Sequence, residues 1–258
     1  MPFSRLFTTA PAGDPDAPLL ILGPALGAPA AMWGGVGSTL AAHYRVQAFE
    51  NFGFGDAPTL RAPFSMADLA DAVVRIIDEA GAATAFYAGD SLNGAVGLEV
   101  ARRHGDRLDA VVTMCSVART ARDPSMAPLA DIVRRGGTAS RAADVGDRWF
   151  SPGAMATRSD EIAALVAAVR GADDQTYIHY LEALDAHDIG DHLHEIEVPV
   201  LAVWSEFDPG DGEARMRFIA ENVQRGALVG IQGAGHVPPL EKPREVADVL
   251  HGFFRTVS

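Results

Sequence analysis

Residues Phe86–Val96 read FYAGDSLNGAV and place Ser91 between an apolar run and a helix-forming stretch. A residue between a strand and a helix must turn the chain sharply, and its neighbours must be small because the two elements come close. Gly89, two residues before the serine, meets this requirement, whereas Asn93, two residues after it, is bulkier. The stretch predicts a serine nucleophile or, alternatively, a loop serine that caps the next helix.

Two loops farther along the chain carry the other groups that a serine nucleophile needs. A base must accept the serine proton, and an acid must hold the base in the right tautomer. Asp208 follows the apolar run VPVLAVW, with Glu206 and Asp211 nearby, and His236 follows the run ALVGI. Each residue type alone is common in turns and on surfaces. The order serine, acid, histidine, each after its own predicted strand, predicts a catalytic triad of Ser91, Asp208 and His236.

Short apolar runs alternate with amphipathic stretches along most of the chain. The patterns predict strands over 19–23, 45–49, 84–88, 110–115, 198–204 and 227–231, and helices over 67–80, 92–104, 213–223 and 244–254. Repeated strand–helix–strand units imply parallel strands joined by crossover helices, and continuous apolar strands imply helices on both faces. We predict an α/β fold with a mostly parallel central sheet flanked by helices.

The stretch over 119–190 interrupts this alternation. It has no convincing strand pattern, and its clearest helices are predicted over 160–169 and 176–184. We interpret it as a helical cap that is inserted into a core formed by residues 1–118 and 191–258. Such a cap would lie over the edge of the sheet, where open α/β folds bind ligands.

Composition limits the expected partners and location. The formal net charge of −13 repels nucleic-acid phosphates and anionic membranes, so we expect neither as a partner. Cys115 is the one cysteine, so no intramolecular disulfide is possible, which fits a reducing compartment. The chain shows no signal-peptide pattern, and no apolar stretch reaches the ~18 residues of a membrane span. We expect a cytoplasmic monomer or homodimer that acts on a small molecule.

With these residues in view, the chain resembles the α/β-hydrolase superfamily and, within it, the 3-oxoadipate enol-lactonases of the β-ketoadipate pathway. The resemblance extends from Leu19 to Phe254. The segments that carry it are LGPALGAPAAMW over 22–33, GDSLNGAVGLEVARRHGDRLDAVV over 89–112, DRWFSPG over 147–153, IEVPVLAVWSEFDP over 196–209 and GAGHVPPLEKP over 233–243. The spacing in the fourth segment favours Asp208 over Glu206 and Asp211 as the triad acid.

The chain departs from the family pattern at several positions. Pro24 and Ala25 stand where the first loop often carries His-Gly or a related pair, and Phe52 stands where the turn ENFGFG would usually have arginine. Asn93 replaces the second glycine of the elbow, and the loop after Asp208 lacks a usual proline. None of these departures removes a catalytic group. They indicate a divergent member and leave its exact substrate open.

The resemblance implies hydrolysis of a small ester or lactone, with no cofactor and no metal. Two backbone N–H groups would hold the oxyanion. Leu92, directly after the nucleophile, provides one of them, and alignment of PALG with the family loop assigns the other to Leu26.

The cap is expected to carry the residues that bind substrate. Because the enol-lactone of 3-oxoadipate has a free carboxylate, a cationic group is expected there. The candidates are Arg119, Arg134, Arg141 and Arg148, of which we choose Arg134. Trp149 is expected to form a pocket wall, although a core aromatic is an equal alternative. His187, His192 and His194 superficially resemble metal ligands, but we interpret their stretch as a linker and helix because hydrolysis here needs no metal.

Other activities use the same three residues. A general carboxylesterase, a cofactor-free perhydrolase or haloperoxidase, and a hydrolase of carbon–carbon bonds all remain alternatives to the lactonase. A catalytically silent relative that binds a small molecule is a more distant one. A serine in the nucleophile position argues against epoxide hydrolases and dehalogenases, because the enzymes of that type that the chain resembles use aspartate there.

Overall fold

A sheet of seven strands organises the part of the chain that the structure, a computed structural model, describes: residue 3 and residues 5–118, 125–210 and 212–257. The strands are β1 Phe7–Thr8, β2 Leu19–Gly23, β3 Arg45–Glu50, β4 Ala85–Asp90, β5 Leu108–Met114, β6 Val200–Ser205 and β7 Gly226–Ile231. They lie in the order β1-β3-β2-β4-β5-β6-β7, and β1 is antiparallel to β3 whereas the other neighbours are parallel. The predicted mostly parallel α/β sheet is confirmed.

Helices cover both faces of this sheet. The described helices are α1 Gly34–Leu40, α2 Met66–Glu79, α3 Leu92–Arg103, α4 Ala127–Arg148, α5 Pro152–Thr157, α6 Ser159–Arg170, α7 Asp174–Asp185, α8 Gly212–Asn222, α9 Pro238–Glu241 and α10 Pro243–Val257. α1 packs against α10, and α2 packs against α3. Because parallel crossovers are right-handed, α1, which leads from β2 to β3, lies on the opposite face from α2 and α3, which lead the other way.

Two central strands are buried along their whole length. Every residue of β2 and β4 is buried, whereas β7 at the sheet edge begins with exposed residues. Continuous apolar runs such as LLILG in β2 are typical of strands that are covered on both faces. The strand order reverses at β2, which lies between β3 and β4, and such a reversal opens a crevice at the carboxyl ends of the strands. The loops after β2 and β4 meet at this crevice.

Four helices form the insertion between two neighbouring strands. β5 and β6 are adjacent in the sheet, and the described residues between them contain α4 to α7 and no strand. α4 bends at Gly137, whose φ is +68°, and it packs against both α6 and α7. We keep 119–190 as the proposed limits of the cap and 1–118 and 191–258 as those of the core. Arg119, one of the predicted cap arginines, lies outside the described residues.

Each predicted strand ends within two residues of the observed one. The elements that the sequence did not predict are short or have an interrupted sequence pattern. β1 is only two residues long, and α1 contains three glycines in seven residues, GGVGSTL. α4 contains Gly136 and Gly137 at its bend, so its helical period is interrupted. No helix among the described residues has the length and apolar character that crossing a membrane would require.

Candidate active site

The sharp turn that the sequence predicts at Ser91 is present. β4 ends at Asp90 and α3 begins at Leu92, and Ser91 between them has φ +52° and ψ −116°, which is a strained conformation for a residue with a side chain. A Cβ atom on Gly89 would lie 2.1 Å from the carbonyl oxygen of Asn93, so only glycine fits where the strand and the helix touch. The turn holds the serine at the carboxyl end of β4.

Asn93 is accommodated at the position where the family has glycine. Its side chain is buried, and its Nδ2 donates to the carbonyl oxygen of Pro24 at 2.5 Å and to Oδ1 of Asn51 at 2.9 Å. A Cβ atom on Gly23 would lie 2.7 Å from the Cβ of Asn93. The missing side chain at Gly23 therefore provides the space that the larger residue at the elbow occupies.

Three loops bring the predicted serine, histidine and acid together. Nδ1 of His236 donates to Oδ1 of Asp208 at 2.5 Å, and Nε2 of His236 lies 3.0 Å from Oγ of Ser91. Because the Asp208 carboxylate accepts a hydrogen bond from Nδ1–H, the ring proton stays on Nδ1 and Nε2 is left as the acceptor for the serine hydroxyl. This arrangement can remove a proton from Ser91 and return it to a leaving group.

Of the neighbouring acids, only Asp208 is described in contact with the histidine. Glu206 accepts a hydrogen bond from the backbone of Gly233 at 2.8 Å, and Asp211 lies outside the described residues. The second oxygen of Asp208 accepts a hydrogen bond from a terminal nitrogen of Arg215 at 3.0 Å. The sequence pattern did not single out Arg215, although an arginine in the first turn of the helix that follows the acid loop could have indicated it.

Leu26 and Leu92, the residues predicted to hold the oxyanion, line the same cavity as Ser91 and His236. Leu92 is the first residue of α3, and the first N–H groups of a helix have no acceptor within that helix. Leu26 follows β2, which pairs with β4 up to the residue pair Gly23 and Gly89. Both backbone N–H groups therefore belong to segments that flank the serine.

Trp149 lies at the wall of a cavity of about 220 Å³ above the serine. Its ring centroid is 4.8 Å from that of His236, and its carbonyl oxygen accepts a hydrogen bond from the backbone N–H of His236 at 2.6 Å. The cap side of the cavity is formed by Met126, Leu129, Tyr177, Leu181 and Leu184. The cap thus contributes most of the apolar surface that a bound molecule would contact.

The structure does not place Arg134 in this cavity. Its side chain is exposed and bonds to Asp131 at 2.8 Å and to Glu182 at 2.5 Å on the outside of the cap. Arg141, one turn past the bend of α4, is buried in the cavity instead, with its Cζ 5.5 Å from the centroid of the Trp149 ring. Our choice of Arg134 as the substrate-binding arginine is corrected accordingly: Arg134 lies on the outer face of α4, whereas Arg141 lies on the face that lines the cavity.

Glu241 is a second residue that the sequence pattern did not single out. It is buried, and its two oxygens accept hydrogen bonds from the backbone N–H groups of Gly235 at 2.9 Å and Ser151 at 3.0 Å. Gly235 precedes His236 and Ser151 follows the Trp149 segment, so Glu241 ties the histidine loop to the cap. The sequence signal for it was a single acid in the proline-rich stretch VPPLEKP, whose only other charged residue is Lys242.

The histidine-rich stretch does not bring its side chains together. His187 is buried, and burial lowers its pKa, with the nearby Glu99 acting in the opposite direction. His192 bonds to Glu195 at 2.6 Å on the surface. Within the described ranges, no group of three or more His, Cys, Asp or Glu side chains is arranged to hold a metal ion.

Asp90 is the one fully buried carboxyl directly beside the serine. Burial raises its pKa well above the usual range, the charges of Asp208 and Glu241 raise it further, and the backbone N–H of Ser91 offsets only part of this rise. Burial and the two neighbouring carboxylates thus act against ionisation of Asp90.

Asp90→Asn should stabilise the protein at high pH. Because the folded-state pKa is raised, the folded protein holds the proton more tightly than the unfolded chain, and its stability falls as pH rises above about 4, the unfolded value. Asparagine cannot ionise, so the variant avoids this loss of unfolding free energy, which is about 1.4 kcal/mol for each unit by which folding raises the pKa of Asp90. Urea unfolding at pH 5 and pH 8.5 measures the free energy of unfolding of both proteins, with exposed Asp147→Asn as the control. A variant with the parent's dependence on pH would contradict the assignment.

Known proteins share both the sequence and the fold. A model of the alpha/beta hydrolase fold family matches residues 18–243. The chain is 25% identical to 3-oxoadipate enol-lactonase 2 of Acinetobacter baylyi over 90% of this chain and 86% of that protein, and 28% identical to a pimeloyl-[acyl-carrier protein] methyl ester esterase of Aeromonas hydrophila over 92% and 96%.

Among solved structures, the enol-lactonase from Burkholderia xenovorans superposes with a TM-score of 0.89 at 25% identity, covering 97% of this chain and 96% of that one. The family match spans most of the chain, including β2, the elbow, the acid loop and the histidine loop. The chain belongs to the alpha/beta hydrolase fold family.

Proposed function

We propose that this hydrolase cleaves a small ester or lactone through an acyl-enzyme intermediate on Ser91. The observation that carries the proposal is the continuous line of hydrogen bonds from Ser91 through His236 to Asp208. In this mechanism Oγ of Ser91 attacks the carbonyl carbon as Nε2 of His236 takes the hydroxyl proton, and Asp208 stabilises the imidazolium that forms. Water then repeats the sequence on the acyl-enzyme.

The oxyanion of each tetrahedral intermediate would be held by the backbone N–H groups of Leu26 and Leu92. Leu92 is at the N-terminus of α3, where the helix dipole also favours negative charge. Such preorganised donors are usually the largest single contribution to catalysis of acyl transfer. No cofactor or metal takes part in the proposed steps.

The substrate we propose is the enol-lactone of 3-oxoadipate. Two relatives named for enol-lactone hydrolysis cover nearly the whole chain. The cavity of about 220 Å³ is smaller than the roughly 300–1,000 Å³ of pockets for drug-sized ligands, which favours a compact substrate. Attack on the ring carbonyl would open the lactone, and His236 would protonate the enol oxygen that leaves.

Arg141 takes the place of Arg134 as the proposed partner of the substrate carboxylate. Arg141 and Arg148 both pair with Asp144, so this side of the cavity carries two positive charges against one negative charge. The Nε of Arg141 is buried without a hydrogen-bond partner among the described residues. A carboxylate bound in the cavity would pair with the positive charge of this guanidinium, and Trp149 would pack along the lactone ring.

Ser91→Ala should abolish hydrolysis of both 3-oxoadipate enol-lactone and p-nitrophenyl butyrate. Loss of the nucleophile removes the acyl-enzyme route, so kcat/KM should fall by at least about 10³-fold. Ser140→Ala, at an exposed cap position, is the matched control and should keep the activity of the parent. Ester cleavage without lactone turnover in the parent would keep the mechanism and overturn the substrate.

Arg141→Met should raise the KM for the enol-lactone by about 10- to 100-fold, the range expected from a lost hydrogen bond to a charged group. The KM for p-nitrophenyl butyrate, which has no carboxylate, should stay within about 2-fold because the variant keeps most of the apolar packing against Trp149. Arg141→Lys should raise the KM for the enol-lactone by a smaller factor, because lysine keeps the positive charge.

Arg134→Met serves as the control, since that side chain lies on the outside of the cap. Steady-state kinetics measures the KM of each variant for the enol-lactone and for p-nitrophenyl butyrate. Equal losses on both substrates would contradict a carboxylate-binding role for Arg141.

A further inference from the structure

Two buried amide side chains lie behind the loop that follows β2. Asn51 is 1% exposed and Asn93 is 2% exposed. Nδ2 of Asn93 donates to the carbonyl oxygen of Pro24 at 2.5 Å and to Oδ1 of Asn51 at 2.9 Å, and Nδ2 of Asn51 donates to the carbonyl oxygen of Ala25 at 3.1 Å. Two successive carbonyl groups of the loop are therefore held by one pair of linked amides.

The sheet does not hold this part of the loop. The pairing of β2 with β4 ends at Gly23, and Pro24 has no N–H group with which to continue it. The carbonyl oxygen of Ala25 also accepts a hydrogen bond from the N–H of Ala28 at 3.1 Å, which only closes the local turn. The amide pair is what fastens the loop to the elbow.

The carbonyl group of Ala25 and the N–H group of Leu26 belong to the same peptide unit. A trans peptide is planar, so its carbonyl oxygen and its N–H hydrogen point in opposite directions. When Asn51 holds the carbonyl oxygen of Ala25, it therefore fixes the direction of the N–H of Leu26, one of the two proposed oxyanion donors. Asn93 holds Asn51 in turn and sits on α3, one residue after Leu92, the other donor.

We infer that Asn51 and Asn93 are positioning residues that orient the two backbone N–H donors of the oxyanion hole. The inference rests on the proposed acyl transfer at Ser91. Asn93 replaces the second glycine of the elbow with a side chain that joins the serine turn to the β2 loop, and Gly23 provides the room for it. Both oxyanion donors then belong to one hydrogen-bonded unit that needs no rearrangement as negative charge develops.

The test compares transition-state stabilisation with ground-state binding in Asn51→Ala, Asn93→Ala and the double variant. Turnover of p-nitrophenyl butyrate gives kcat and KM. Affinity for n-butylboronic acid, which forms a tetrahedral adduct with a serine, reports stabilisation by the oxyanion hole. Affinity for butyrate reports ground-state binding.

We expect each single variant to lose about 10- to 100-fold in kcat and in boronate affinity, less than the roughly 10²–10³-fold cost of removing an oxyanion donor outright.

In the same variants KM and butyrate affinity should stay within about 3-fold. The double variant should lose about as much as the worse single variant, because residues that act through one network are not additive. Asn51→Asp keeps the shape of the side chain and an oxygen that accepts the hydrogen bond from Asn93. It replaces the Nδ2 donor with a second oxygen, which repels the carbonyl oxygen of Ala25, so the kcat of this variant should fall too. This variant keeps the test decisive if an alanine variant fails to fold.

Thr138→Val is the structural control. Thr138 is buried in the cap, and its hydroxyl bonds to the carbonyl oxygens of Arg170 and Ala172, so its loss should lower stability and leave kcat within about 2-fold. If the Asn51 and Asn93 variants lose stability but keep the parent's kcat and boronate affinity, the positioning role is wrong. Full activity in Ser91→Ala would instead overturn the proposed function itself.

Discussion

The strained backbone at Ser91 is the constraint on which the active-site region depends. A residue with a side chain at φ +52° costs about 1–3 kcal/mol, so its surroundings must hold it there. The backbone N–H of Ser91 donates to the carbonyl oxygen of Met114 at 2.8 Å, and its own carbonyl oxygen accepts from the hydroxyl of Ser116 at 2.7 Å. A Cβ atom on Gly94 would lie 2.7 Å from Ser116, so glycine is required there as well.

Around this turn, hydrogen bonds link segments that are far apart in the sequence. The amides of Asn51 and Asn93 join the β2 loop to the elbow, and Glu241 joins the histidine loop to the cap. The side chains of Asn93 and Glu241 are both buried, so each bond forms away from competing water. The catalytic groups we propose are thus held by the core on one side and by the cap on the other.

Much of this arrangement could be predicted from the sequence, because local patterns report local structure. Periodic apolar runs located the main strands, and the order of Ser91, Asp208 and His236 after three of them indicated one site. The choice of Arg134 over Arg141 could not be corrected from the sequence, since the non-helical backbone at Gly137 interrupts the helical period that would relate the faces on which the two arginines lie. The role of Asn93 depends on a partner, Asn51, 42 positions away in the chain.

The proposed mechanism requires that Ser91 becomes covalently acylated, with His236 as the base. A fluorophosphonate probe followed by peptide mass spectrometry tests this requirement directly, because the probe reacts preferentially with a serine activated in this way. We expect a single modified peptide with the probe on Ser91, and no labelling after His236→Ala. Labelling on another residue, or a fully active protein that the probe does not modify, would contradict it.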